Sequence, residues 1–126
     1  MATDEREPAS LIPLTPAVFH ILLALADGER HGYGIMVEVD QLTSGQIHLG
    51  PGTLYRSIQK MVLDGLIEET GQMANEDDER RRYYRLTAFG RNVAQEETRR
   101  LSILLDAATR RGLIGKRTEP GSTRVS

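Results

Sequence analysis

The sequence predicts a mainly α domain that carries one small β-hairpin and ends on a long C-terminal helix. Three observations lead there. A capping residue is followed by proline at Thr15-Pro16 and again at Gly50-Pro51, and each pair opens a run of apolar residues at helical spacing. Two short alternating segments, Leu66-Ile67-Glu68-Glu69 and Arg81 to Leu86, flank the polar stretch Gly71 to Arg80 and read as a hairpin with a long tip. The aromatic share is only 5% and Trp is absent, so the core must be aliphatic, which suits helices.

The elements follow in order. Helix 1 is expected over about 16–27, from the Thr15 hydroxyl cap to the stop at Asp27-Gly28, with Val18, Leu22 and Leu25 on its apolar face and Phe19, Leu23 and Ala26 beside them. A second helix fits about 31–43, where Ile35, Val39 and Leu42 fall at helical intervals before Thr43-Ser44-Gly45 ends it. Ile47-His48-Leu49 alternates and is too short for a helix, so it is expected as a small strand. Helix 3 spans about 51–64, with Leu54, Ile58, Met61 and Val62 clustered on one face and Gly65 at its end. After the hairpin, Thr87 caps a last helix that runs to about Arg111, where Gly112 stops it. Residues 1–10 and 112–126 read as flexible tails, the second one basic, around a domain over 11–87 and a helix over 88–111.

Composition excludes several kinds of chemistry. At 126 residues the chain has room for one domain, and without Cys it forms no disulfide, thiolate nucleophile or Cys-ligated zinc site. The longest apolar stretch, Val18 to Ala26, is far shorter than the ~20 residues of a membrane span, and the acidic start Asp4-Glu5-Arg6-Glu7 is unlike a signal peptide, so a soluble cytoplasmic protein is expected. His20, His31 and His48 have no ligand-type partner at helical spacing, no Lys-Ser or Lys-Thr follows the glycines between Gly28 and Gly34, and no Gly-x-Ser-x-Gly elbow is present. Neither a metal, a cofactor nor an enzymatic activity is expected. Net charge is −2, from 16 basic and 18 acidic residues, so an anionic partner would have to meet a local patch.

Three compact helices followed by a hairpin is the layout of a winged helix-turn-helix, whose third helix enters the DNA major groove while the hairpin, or wing, flanks it. The strings His31-Gly32-Tyr33-Gly34-Ile35, Gly52-Thr53-Leu54-Tyr55, Asp64-Gly65-Leu66-Ile67, Arg81-Arg82-Tyr83-Tyr84-Arg85-Leu86-Thr87 and Phe89-Gly90-Arg91 occur in that order. In combination they resemble the PadR family of bacterial transcriptional regulators, over roughly residues 11–108. The resemblance implies a homodimeric DNA-binding repressor with a short C-terminal dimerisation helix and, often, a small-molecule inducer. The chain departs from the pattern in the acidic wing tip Asn75-Glu76-Asp77-Asp78-Glu79, and in having no Trp to stack on a planar effector.

On helix 3, Arg56, Gln59 and Lys60 fall opposite the apolar stripe, where Arg suits guanine, Gln suits adenine and Lys suits a base or a phosphate. An ordinary solvated face is the competing reading. The amides of Gly52 and Thr53 lie in the first helical turn, which favours an anion. The family motif further implies a phosphate contact for the Tyr55 hydroxyl, against a purely structural tyrosine. Arg80, Arg81 and Arg82 are expected to bring at least one cation to the DNA backbone, unless they pair with Glu76 to Glu79. Ala94, Leu101, Leu104, Leu105 and Ala108 make a near-heptad stripe on the last helix, suited to dimerisation, with Glu97 interrupting it. The function expected is sequence-specific DNA binding by a homodimer on an inverted repeat, as a repressor. A winged-helix adaptor for another protein, or a small-molecule sensor that does not bind DNA, is the alternative.

Overall fold

The structure, a computed structural model, describes residues 6–71 and 82–115. The expected roles of Arg80, Arg81 and the acidic tip, and most of the basic tail, therefore lie outside the described residues. A 3-10 turn over Pro8–Leu11 precedes α1 (Pro16–Leu25), β1 (Arg30–His31), α2 (Gly32–Leu42), α3 (Pro51–Leu63), β2 (Ile67–Glu69), β3 (Tyr83–Leu86) and α4 (Ala88–Arg110). The architecture is the winged helix-turn-helix expected, four helices with a three-stranded antiparallel sheet in the order β1-β3-β2.

Side chains start three of the helices. Thr15 Oγ1 accepts the Val18 N–H, His31 Nδ1 accepts the Gly34 N–H at 3.0 Å, and Thr87 Oγ1 accepts the Gly90 N–H at 2.9 Å. His31 is thus a helix cap. α3 ends in a Schellman turn: Leu66 N–H donates to the Met61 carbonyl and Gly65 N–H to the Val62 carbonyl, with Gly65 at φ +78°.

The third strand is not where alternation placed it. Arg30 and His31 pair with Tyr84 and Tyr83 along the free edge of β3, whereas Ile47-His48-Leu49 forms no strand. In that connection the Ile47 N–H donates to Thr43 Oγ1 at 3.0 Å, so its backbone is satisfied locally, and His48 Nδ1 lies 2.6 Å from the Asp40 carboxylate. Nor is the start of the chain wholly a tail. The 3-10 turn packs on α4, and the Arg6 guanidinium lies 4.4 Å from the centre of the Phe89 ring and donates to the Asp64 carbonyl at the end of α3.

The core is aliphatic, with Ile21, Leu22 and Leu25 of α1 packed among Ile35 and Val39 of α2, Leu54, Ile58 and Met61 of α3, and Val93 of α4. Val62, expected on the apolar face of α3, is 40% exposed. At 100° per residue it sits about 80° round the helix from Leu54, at the margin of the buried stripe.

Close contacts at its start and at its middle fix α4 on the rest. A Cβ placed on Gly90 would come within 1.9 Å of the Leu66 carbonyl oxygen, and Thr87 Oγ1 donates to the Gly65 carbonyl at 2.6 Å, so the start of α4 lies directly on the turn after α3. Further along, Glu97 is only 1% exposed. Its carboxylate accepts the Leu14 N–H at 2.8 Å and is held by the Arg100 guanidinium at 2.6 Å. Hydrogen bonding from Arg100, ahead of the opposing effect of burial, holds the Glu97 carboxyl below the usual glutamate range.

Gly90→Ala should destabilise the fold by more than the ~1–3 kcal/mol usual for overpacking, because the obstacle is a backbone carbonyl rather than a mobile side chain. Urea denaturation checks this. For Glu97→Gln we expect a loss of about 1–3 kcal/mol at neutral pH, since the part-buried Leu14 N–H and Arg100 lose a charged acceptor. The folded-state pKa is lowered, so the contribution of Glu97 is complete above the ordinary glutamate value and lost as pH falls through the folded-state value. Unfolding curves of the two proteins should converge on acidification.

Candidate nucleic-acid interface

Burial of Leu54, Ile58 and Met61 turns the opposite side of α3 to solvent. Relative to Leu54, Gln59 lies about 140°, Leu63 about 180° and Arg56 about 200° round the helix. All three are exposed, Leu63 at 86%. This side forms one wall of an open groove of about 730 Å³, whose other wall is the wing with Glu69, Arg82 and Tyr84. Tyr55, Arg56, Gln59 and Arg82, four of the residues expected to meet DNA, thus share one groove.

Strand alternation explains the wing's contribution. Ile67, Tyr84 and Leu86 point toward the core, and Glu69 and Arg82 lie on that same face where it extends past the core's edge. Arg82 Nη1 contacts both Glu69 carboxylate oxygens, at 3.0 and 3.3 Å. On the opposite face, Arg85 pairs with its cross-strand neighbour Glu68 at 2.7 Å. Tyr84 is buried between these groups, and desolvation, followed by the Glu69 charge, raises its pKa so that the phenol stays protonated at neutral pH.

Tyr55 is 49% exposed and leans over α2, with its hydroxyl 2.5 Å from where a Cβ on Gly32 would lie. Gly32 leaves the room that this ring occupies, whereas a Cβ on Gly34 would make only ordinary contacts. At the start of α3, Pro51 brings no N–H, and the amides of Gly52 and Thr53 have no intrahelical acceptor; both residues are exposed. Lys60 lies on the other flank of the helix from the groove, where its ammonium is 3.2 Å from the Asp64 carboxylate. Among the described residues no carboxylate pairs with Arg56. Alternation along β2 could have placed Glu69 on the groove face, and the 100° spacing of α3 puts Leu63 opposite the apolar stripe.

α4 divides into two parts. Ala94, expected in the dimerisation stripe, is partly buried against the core of its own domain and lines a cleft with Leu22 and Leu23 of α1. Beyond Glu97 no residue of the helix is buried, and Leu101, Ile103, Leu104 and Leu105 are all exposed, Leu104 at 53%, while Ala108 is partly covered. Among the described residues no helix is long and apolar enough to cross a membrane, and no group of His, Asp and Glu is arranged to hold a metal.

The helices, wing and outward-facing α3 define a winged-helix protein of the DNA-binding, transcription-regulating class. The profile of the Transcriptional regulator PadR-like family matches residues 21–96, and the chain belongs to that family. It is 35% identical over 85 residues to "Transcriptional regulator Rv3488" of Mycobacterium tuberculosis, a match covering 68% of this chain and 75% of that protein. It is also 32% identical over 84 residues to a 37.1 kDa protein of transposon TN4556 from Streptomyces fradiae, covering 67% of this chain but only 22% of that longer protein. Among solved structures, a PadR family transcription regulator from Clostridium difficile superposes with a TM-score of 0.64 at 21% identity, over 76% of this chain and 97% of that one.

Proposed function

We propose that this regulator is a repressor that binds an inverted-repeat operator as a homodimer in the cytoplasm. The observation that carries the reading is the placement of Arg56 and Gln59 on the outward side of α3, across one groove from Arg82 of the wing. Arg56 and Gln59 read bases in the major groove, where their side chains match guanine and adenine edges. Arg82, with Arg80 and Arg81 beside it in sequence, neutralises phosphate, and the Gly52 and Thr53 amides, the Tyr55 hydroxyl and Lys60 hold the backbone.

One winged domain reads too few base pairs to find a site among competing genomic DNA. The outer half of α4 supplies what a second copy needs. Leu101, Leu104 and Leu105 form an exposed apolar strip on this half of the helix, and Ala108 extends it by a further turn. A two-fold axis along this strip would present two α3 helices to successive major grooves, ~34 Å apart, and so select an inverted repeat.

Arg56→Ala should relax base preference at one position of each half-site at a cost of about 1–3 kcal/mol, measured across a panel of single-base operator variants. Arg82→Ala should weaken all sequences alike and lower the salt slope by about one unit. An unchanged preference in the first variant would remove Arg56 from base reading. Absence of salt-sensitive binding to any duplex would favour a protein-adaptor role instead.

Leu101→Asp and Leu104→Glu place a charge in the dimer strip of both copies, at a cost of several kcal/mol when buried unpaired, or roughly 3–5 kcal/mol for a charge left uncompensated. Sedimentation should show folded monomers that have lost high-affinity operator binding with α3 untouched. A variant that stays dimeric and binds normally would place the dimer contact elsewhere.

A further inference from the structure

We infer that Glu69 acts as an intramolecular stand-in for phosphate, holding Arg82 in the unbound protein and setting how strongly the wing binds DNA of arbitrary sequence. The inference rests on the reading of Arg82 as a phosphate contact. Its own ground is the geometry of the pair: Arg82 Nη1 lies 3.0 and 3.3 Å from the two Glu69 oxygens, on the wall of the groove that α3 lines. A carboxylate offers the guanidinium the same anionic acceptor that a phosphate would. DNA must therefore displace Glu69 before Arg82 can serve the backbone.

The neighbouring charges sharpen the point. Arg56, placed to read bases, has no carboxylate partner among the described residues, whereas Arg82 and Lys60, placed for phosphate, each have one. Among the described residues, the cations placed for phosphate are thus partly neutralised in advance, and the one placed to distinguish sequences is not. When Arg82 moves to a phosphate, a cation leaves the DNA while the freed Glu69 attracts one back. The net ion release, and with it the salt slope, is smaller than the count of phosphate contacts suggests.

Glu68 supplies an internal control. It pairs with Arg85 at 2.7 Å on the opposite face of the same two strands, away from the groove. Glu68→Gln and Glu69→Gln change net charge equally but free arginines on different faces.

The test measures binding of the full chain to a short mixed-sequence duplex over a range of salt, by fluorescence anisotropy, for wild type, Glu69→Gln, Glu68→Gln, Arg82→Ala and the Glu69→Gln/Arg82→Ala double variant. Surface pairs of this kind are weak, so Glu69→Gln should tighten binding about two- to fivefold at low salt. It should also steepen the slope by up to ~0.9. The gain should shrink as salt rises and disappear in the double variant, and Glu68→Gln should give less than half of it.

Equal gains from Glu68→Gln and Glu69→Gln would reduce the effect to net charge and overturn the inference. So would an unchanged affinity in Glu69→Gln beside a loss in Arg82→Ala, a result that leaves the phosphate role of Arg82 standing. If neither wild type nor any variant binds duplex, the DNA-binding reading fails and takes this inference with it.

Discussion

Burial of Leu54, Ile58 and Met61 sets the rotation of α3 about its own axis, and the polar side chains on that helix take their direction from it. A helix offers no independent choice of face: once the apolar stripe is against the core, Arg56 and Gln59 must face outward. The same rotation brings Val62 and Leu63 to the groove side and carries Lys60 to the far flank, beside Asp64. The wing obeys an equivalent rule with a period of two. Packing Ile67 and Tyr84 inward commits Glu69 and Arg82 to the face that meets α3.

The relation between these two walls depends on a small knot of backbone contacts. The Schellman turn at Gly65 reverses the chain from α3 into β2, Thr87 bonds the Gly65 carbonyl, and Gly90 lets the first turn of α4 lie on the Leu66 carbonyl. Several of the family-like strings, Asp64 to Ile67, Leu86-Thr87 and Phe89 to Arg91, have this architectural meaning in the present chain. Glu97 then ties the middle of α4 to the backbone before α1. Up to that residue α4 contributes buried side chains to the domain; beyond it the helix carries an exposed apolar strip.

Electrostatics on the groove side are local. A chain with net charge −2 has little long-range pull on DNA, and the two described arginines of the wing are held by carboxylates, Arg85 by Glu68 at 2.7 Å and Arg82 by Glu69 at 3.0 Å. Such exposed pairs add little to stability, so their consequence lies in what the arginines are free to bind. Arg56 stands apart from them on the outward face of α3.

Helix starts were readable from sequence because a cap and a proline act within one turn: Thr15-Pro16, Gly50-Pro51 and Thr87 each begin a helix where local chemistry indicated. The apolar period of α3 likewise pointed to Arg56 and Gln59. Partnerships across the chain were not readable. Arg30 and His31 show no strand pattern over two residues, and they are a strand only because β3 has an open edge beside them. Glu97 looked like a polar break in an apolar stripe, although its carboxylate answers the Leu14 N–H, 83 residues earlier. Ala94 fitted the stripe by spacing, and the partial cover it receives from its own core was not readable there. Periodicity and capping depend on neighbours a few residues away and are written in the sequence itself, whereas which face meets which, and which carboxylate reaches which donor, is decided only when distant segments pack together.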